Sequence, residues 1–234
     1  MDEVETEAFS TRTEAAYARL REEILKGALR PGDKLRLEML RNEYGFGLSS
    51  LREALSKLSS ERLVRTAGQR GYWVESISQE EFEDITGMRL FLEPEALSLS
   101  IENATLDWEA DVVSAFHRLK RVEETLDHDP GRRSGAWEKE NRAFHHALIQ
   151  NCGSAWMLRF VATLSEQSER YRRQAVAMKA VPKEKLLAEH QALFDAAMDR
   201  NPRLAAELLR VHINNSATGL SQALFTPASD NRAG

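Results

Sequence analysis

Only two short stretches of this 234-residue chain read as β-strands, and a turn joins them. Leu63–Thr66 and Tyr72–Glu75 flank Ala67-Gly68-Gln69-Arg70-Gly71, a polar, glycine-containing hairpin tip. The other periodic segments are helical, so the chain is expected to be mainly α. Three helices precede the hairpin, over about 13–26, 37–44 and 48–60. Tyr17, Leu20 and Ile24 have helical spacing in the first, and Leu51, Leu55 and Leu58 share one face of the third. Gly27 and the Pro31-Gly32 turn end the first helix, and Gly45 and Gly47 separate the second from the third. Three helices followed by a two-stranded wing make a winged helix-turn-helix, expected over residues 10–76.

From Ser78 onward there is no strand pattern. Helices are expected at about 79–102, 105–128, 134–151, 155–177, 183–199 and 202–222. Ser78 can cap the first of these, with Glu81 three residues on. Asp129-Pro130-Gly131 reads as a break, and Asn201-Pro202 places a capping residue before proline at the first helical position. Tandem helices with short loops predict an all-α helical bundle over residues 79–222.

Charge separates the two parts. Residues 10–76 carry 13 Lys and Arg against 9 Asp and Glu, whereas residues 77–234 carry 19 against 24. A basic N-terminal module on an acidic body suits a protein whose first part alone meets phosphate. No apolar run approaches the roughly 18 to 20 residues that span a bilayer, so no membrane association is expected. Met1–Ser10 is acidic and lacks the apolar stretch of a signal peptide. The single cysteine, Cys152, excludes an internal disulfide framework and agrees with a cytoplasmic location.

A helix can enter the major groove of DNA while its apolar face stays on its own domain. In the third helix Leu51, Leu55 and Leu58 form that inner face, and Ser49, Ser50, Arg52 and Ser56 lie on or beside the outer one. Arg52 can contact a base or a phosphate, or close a salt bridge within the domain. The string Leu20-x3-Ile24-x2-Gly27-x-Leu29-x-Pro31-Gly32-x2-Leu35 is followed by Gly45-Phe46-Gly47-Leu48-Ser49-Ser50-Leu51-Arg52-Glu53-Ala54-Leu55, then Leu58, Leu63-Val64 and Gln69-Arg70-Gly71. It closely resembles the N-terminal domain of the GntR family of bacterial regulators. The resemblance implies double-stranded operator DNA as partner, a homodimer, and a phosphate contact at Arg36. It also implies that Arg70 and Gly71 at the wing tip meet the minor groove or backbone. Many family members have Ser-Arg where this chain has Gly47-Leu48, so the operator cannot be inferred from better-known members.

Polar residues interrupt the apolar stripes of the C-terminal helices. Asn141 and His145 share a face with Trp137 and Leu148; His190 lies between Leu186 and Leu193; His212 follows Leu208 and precedes Ser216. A buried imidazole needs a partner. Such residues can be core groups satisfied within the fold, or can converge as metal ligands, as they do in many bundles. Arg89 falls in the inner stripe of Phe82, Ile85, Leu92, Ala96 and Leu99, where a guanidinium needs an anion. That anion can be Glu93, four residues on, or a ligand carboxylate held bidentately.

The string Asn141-x2-Phe144-His145, Glu189-His190 and His212 resembles the FCD ligand-sensing domain of the FadR subfamily. The resemblance implies a divalent metal held by Asn141, His145, His190 and His212. Three imidazoles and one neutral oxygen suit Zn(II) or Ni(II), among others. Through Arg89-x3-Glu93 the resemblance also implies a ligand carboxylate at Arg89. The Gly-Leu-Ser-Ser and Gly-Gln-Arg-Gly strings are similar to the branch of carbon-starvation-induced repressors of glutarate and 4-aminobutyrate metabolism.

The expected function is therefore a ligand-responsive repressor released by a small carboxylate. The alternatives are a metal-dependent hydrolase, or a metabolite-binding protein without DNA-binding function. No His-Glu-x-x-His, Gly-x-Ser-x-Gly or phosphate-cradling glycine loop supports an enzyme.

Overall fold

The computed structural model describes residues 11–67, 71–124, 130–177 and 183–226. The chain forms two compact units, residues 1–77 and 78–234.

The first unit contains α1 (Arg12–Leu25), β1 (Lys34–Leu35), α2 (Leu37–Tyr44), α3 (Leu48–Ser60), β2 (Val64–Thr66) and β3 (Tyr72–Val74). Thr11 opens α1 through a capping box: its hydroxyl accepts from the Glu14 N–H, and the Glu14 carboxylate accepts from the Thr11 N–H. Gly45 closes α2 at φ 73°, a left-handed conformation that costs glycine little. Leu20, Leu40, Leu51, Leu55 and Leu58 are fully enclosed in one core. The sheet has three antiparallel strands in the order β1-β3-β2, not the two expected. The added strand pairs Lys34 with Trp73 and Leu35 with Tyr72. Two residues are too short to display an alternating pattern, so β1 is invisible to periodicity.

The second unit is all helical among the described residues: α4 (Gln79–Glu102), α5 (Leu106–Glu123), α6 (Pro130–Ile149), α7 (Ala155–Ala177), α8 (Lys183–Met198) and α9 (Pro202–Phe225). Its core joins Leu97, Val112, Leu119, Phe144, Leu148, Leu193 and Leu209. The long α4 packs against α9, α7 and α6, while α5 lies on α6 and α8. The Ser78 hydroxyl accepts from the Glu81 N–H at 3.3 Å, and Asn201 Oδ1 accepts from the Leu204 N–H at 3.1 Å. Pro130, expected to break the chain, opens α6 instead; proline at the first helical position has no N–H to leave unpaired. Pro94 sits inside α4, where it removes the N–H that would reach the Leu90 carbonyl.

Candidate DNA-reading face and candidate metal centre

In the first unit α3 divides cleanly. Leu51, Ala54, Leu55 and Leu58 are buried, while Ser49, Arg52, Ser56 and Lys57 are exposed and Ser50 is half-buried. Arg52 makes no ion pair among the described residues, so its fork of donors is turned to solvent. Gly47 precedes the helix and supplies no side-chain cap, which leaves the first-turn N–H groups of α3 open to an anion. Arg36 is the residue before α2, exposed, with no capping bond of its own. Gly71 has φ 113° at the start of the returning strand, a conformation that L side chains rarely adopt. Arg70 lies outside the described residues. Lys34 and Arg65 stack on Trp73 at 5.1 and 5.4 Å from its ring centroid. Sequence periodicity does not reveal this pair of cations, because the register of three strands creates it.

In the second unit the three predicted histidines meet. His145 on α6, His190 on α8 and His212 on α9 offer ligand atoms that all lie within 4.8 Å of one another. Two of the rings are oriented by carboxylates. His190 Nδ1–H donates to Glu123 Oε1 at 2.7 Å, and Trp137 Nε1–H donates to the same oxygen at 3.2 Å. His212 Nδ1–H donates to Glu189 Oε2 at 2.8 Å, while the Asn215 amide donates to Glu189 Oε1 at 2.7 Å. With Nδ1 protonated in both, each Nε2 carries a lone pair, the tautomer a metal requires.

The electrostatics disfavour protonation of two of the three rings, His145 and His212. Burial, then the neighbouring His212 and His190, hold the His145 pKa well below the ordinary histidine value, and Arg89 and Arg172 add to the effect. Burial also lowers His212, against the opposing hydrogen bond to Glu189. Burial acts to raise the Glu189 carboxyl, but the bonds from His212 and Asn215 prevail and hold it down.

Asn141 Oδ1 and His190 Nε2 are buried with no hydrogen-bond partner among the described residues. An unpaired buried acceptor is costly, and a cation held by the three histidines would satisfy His190 Nε2. A donor set of three imidazoles and an amide oxygen fits a divalent ion.

A cavity of about 100 Å³ adjoins the cluster, lined by Asn141, His145, His212 and three arginines, Arg89, Arg142 and Arg172. Arg89 is paired with the expected helical neighbour: its Nε donates to Glu93 Oε1 at 2.6 Å and its Nη2 to Glu93 Oε2 at 3.3 Å. Arg172 is held by the fully buried Glu138, with Nε at 3.1 Å from Oε2, and also donates to the Ser165 carbonyl at 3.0 Å. His146, which points away from His145 on the helix, is exposed yet reaches the lining.

Sequence reasoning missed Glu123, Glu138, Arg142 and Arg172, and it quoted Glu189 only beside His190, without a role. For Glu123 a signal existed: it continues the buried stripe Val112, Phe116, Leu119 at three- and four-residue steps, a carboxylate where only a partner could justify it.

The fold and the site define a transcriptional regulator with a DNA-reading module and a ligand-sensing helical domain. The FCD domain matches over residues 84–215, and the bacterial regulatory proteins of the gntR family match over residues 12–74. The chain belongs to the GntR family and carries its FCD domain. It is 42% identical to the HTH-type transcriptional regulator BphR of Paraburkholderia xenovorans over 89% of this chain and 85% of that one. It is 34% identical to the HTH-type transcriptional repressor GlaR of Escherichia coli over 89% of this chain and 95% of that one. The fold matches the solved structure of E. coli McbR/YncC with a TM-score of 0.71 at 20% identity, over 91% of this chain and 98% of that one. A GntR regulator structure from Rhodococcus sp. RHA1 matches with a TM-score of 0.70 at 19% identity, over 91% and 98%. The protein is thus a DNA-binding regulator and not an enzyme, and the hydrolase alternative falls away. No helix among the described residues is long and apolar enough to cross a membrane.

Proposed function

We propose that the protein is a homodimeric repressor, acting in the cytoplasm, that a small carboxylate releases from its operator. The observation that carries the sensing half of this reading is the convergence of His145, His190 and His212, with His190 Nε2 and, one helical turn from His145, Asn141 Oδ1 buried and without a hydrogen-bond partner among the described residues. These four side chains would hold one divalent ion, Zn(II) or Ni(II), which would supply Lewis-acid attraction for a carboxylate.

Arg89 meets the charge of that carboxylate. Glu93 occupies Nε and Nη2 of the guanidinium, and the Nη1 edge is left for a ligand oxygen. Both residues stand on α4, the helix that follows the DNA-reading unit directly in sequence. A ligand that prefers one packing of α4 over another changes the separation of two half-site readers.

On DNA, each copy reads one half of an inverted repeat. Arg52 contacts a base edge; Ser49, Ser50 and Arg36 contact phosphate; Arg70 and Gly71 bring the wing to the backbone or minor groove. That GlaR bears the name repressor supports repression as the role on DNA, and ligand is expected to weaken operator binding.

Titration calorimetry across C4 to C6 carboxylates tests the sensing site. At least one acid is expected to bind the metal-loaded protein. Its affinity is expected to fall about 10- to 100-fold in Arg89→Ala, the loss of one charge-assisted contact, and further in metal-stripped protein. Equal affinity for all three forms would place the ligand elsewhere.

A further inference from the structure

We propose that Arg142 is a second anion anchor, which takes the far carboxylate of a dicarboxylate and makes the cavity prefer dicarboxylates to monocarboxylates of the same carbon number. The inference rests on the carboxylate reading above and extends it to the other end of the ligand.

Three arginines line the cavity, and they are not equivalent. Arg172 binds Glu138 through Nε and Nη2 and also reaches the Ser165 carbonyl. Arg89 gives two N–H groups to Glu93. Both carboxylates are buried, so withdrawing either arginine leaves a buried charge without compensation. Arg142 differs. Its Nη1 stands 3.6 Å from Glu169 Oε2, beyond the 2.7–2.9 Å of a charge-assisted hydrogen bond. Glu169 does not depend on it, because Arg173 holds that carboxylate with Nε and Nη2 each at 2.9 Å. Arg142 can therefore turn its donors to a ligand while Glu169 stays compensated.

Its position suits the far end of a ligand. Arg142 follows Asn141 on α6, so it turns about 100° away from the metal-facing side of the helix and still lines the same cavity. Its side chain is 38% exposed, against 14% for Arg89 and 9% for Arg172. Arg142 is thus the most solvent-accessible of the three arginines that line the cavity. A second carboxylate there keeps part of its hydration and meets a planar cation suited to bidentate pairing. Glu166 also lines the cavity but is exposed, so solvent screens its repulsion.

The test compares glutarate with pentanoate, which has the same number of carbons and one carboxylate. Both are titrated calorimetrically into the metal-loaded wild type, Arg142→Ala and Arg142→Lys, with the metal content of each measured. The wild type is expected to prefer glutarate. Arg142→Ala should lose about 10- to 100-fold in glutarate affinity, with pentanoate affinity and metal content unchanged, and Arg142→Lys should recover part of the loss. Undiminished glutarate binding by Arg142→Ala overturns the proposal, and so does an equal loss for both acids, which would make Arg142 a general support of the cavity. If the wild type binds neither acid, the carboxylate reading itself fails for these probes and Arg142 falls with it. If glutarate binds all forms alike, only Arg142 falls.

Discussion

Arg52→Ala is expected to abolish specific operator binding while the sensing unit stays folded. Arg52 follows the fully enclosed Leu51 on α3 and projects from the exposed side of a helix whose other face, Ala54, Leu55 and Leu58, is buried. It makes no ion pair among the described residues, so its removal breaks no internal bond there. A bidentate arginine–guanine contact contributes about 1–3 kcal/mol of discrimination, and a dimer on an inverted repeat loses it twice. The expected loss is therefore about 2–6 kcal/mol, or from roughly thirtyfold to more than 10⁴-fold in affinity. Fluorescence anisotropy with operator and scrambled duplexes measures it. Non-specific binding should change little, since one phosphate-range charge per chain is a small part of that term. If the variant binds operator as tightly as the wild type, Arg52 is no reader and α3 is not the recognition helix.

The second large effect concerns the metal. About one divalent ion per chain is expected in protein purified without chelator, and His190→Ala with His212→Ala should remove it. The two rings come from different helices and are separately oriented, by Glu123 and Glu189. Losing both leaves only Asn141 and His145, one helical turn apart, too few to hold an ion against water. Glu123→Gln, which keeps an acceptor but not its charge, should weaken metal about 10- to 100-fold, as expected when the group orienting a ligand is altered. Elemental analysis gives occupancy, and thermal unfolding of the metal-free forms separates lost ligation from lost folding. Full metal content in the double variant would remove these histidines from the site.

Much of this architecture was legible before any coordinates. Glycine and proline punctuation separated the first three helices, and the buried stripe of α3 located its exposed face. The convergence of three histidines was legible only as a possibility. Periodicity places each on an apolar stripe, but the helix packing that brings α6, α8 and α9 together is a tertiary fact. The orienting carboxylates were missed for different reasons. Glu189 stands in the Glu189-His190 string, but that it orients His212 rather than its neighbour is a matter of helix packing. Glu123 sat openly in a core stripe and broke the rule that a lone buried charge needs a partner. At Arg89 the helical neighbour Glu93 takes Nε and Nη2 of the guanidinium, because a residue four positions along a helix is within reach, and Nη1 stays available to a ligand. The third strand escaped notice because two residues cannot show a period.

Operator affinity, measured with and without a saturating dicarboxylate, bears most directly on control of DNA binding from the histidine site. The wild type and the His190→Ala, His212→Ala variant are compared side by side. Ligand is expected to weaken wild-type operator binding about 5- to 150-fold, the range of a coupling of about 1–3 kcal/mol, and to leave the variant's affinity unchanged. Release of the variant by the same ligand, to the same extent, would contradict control from this site.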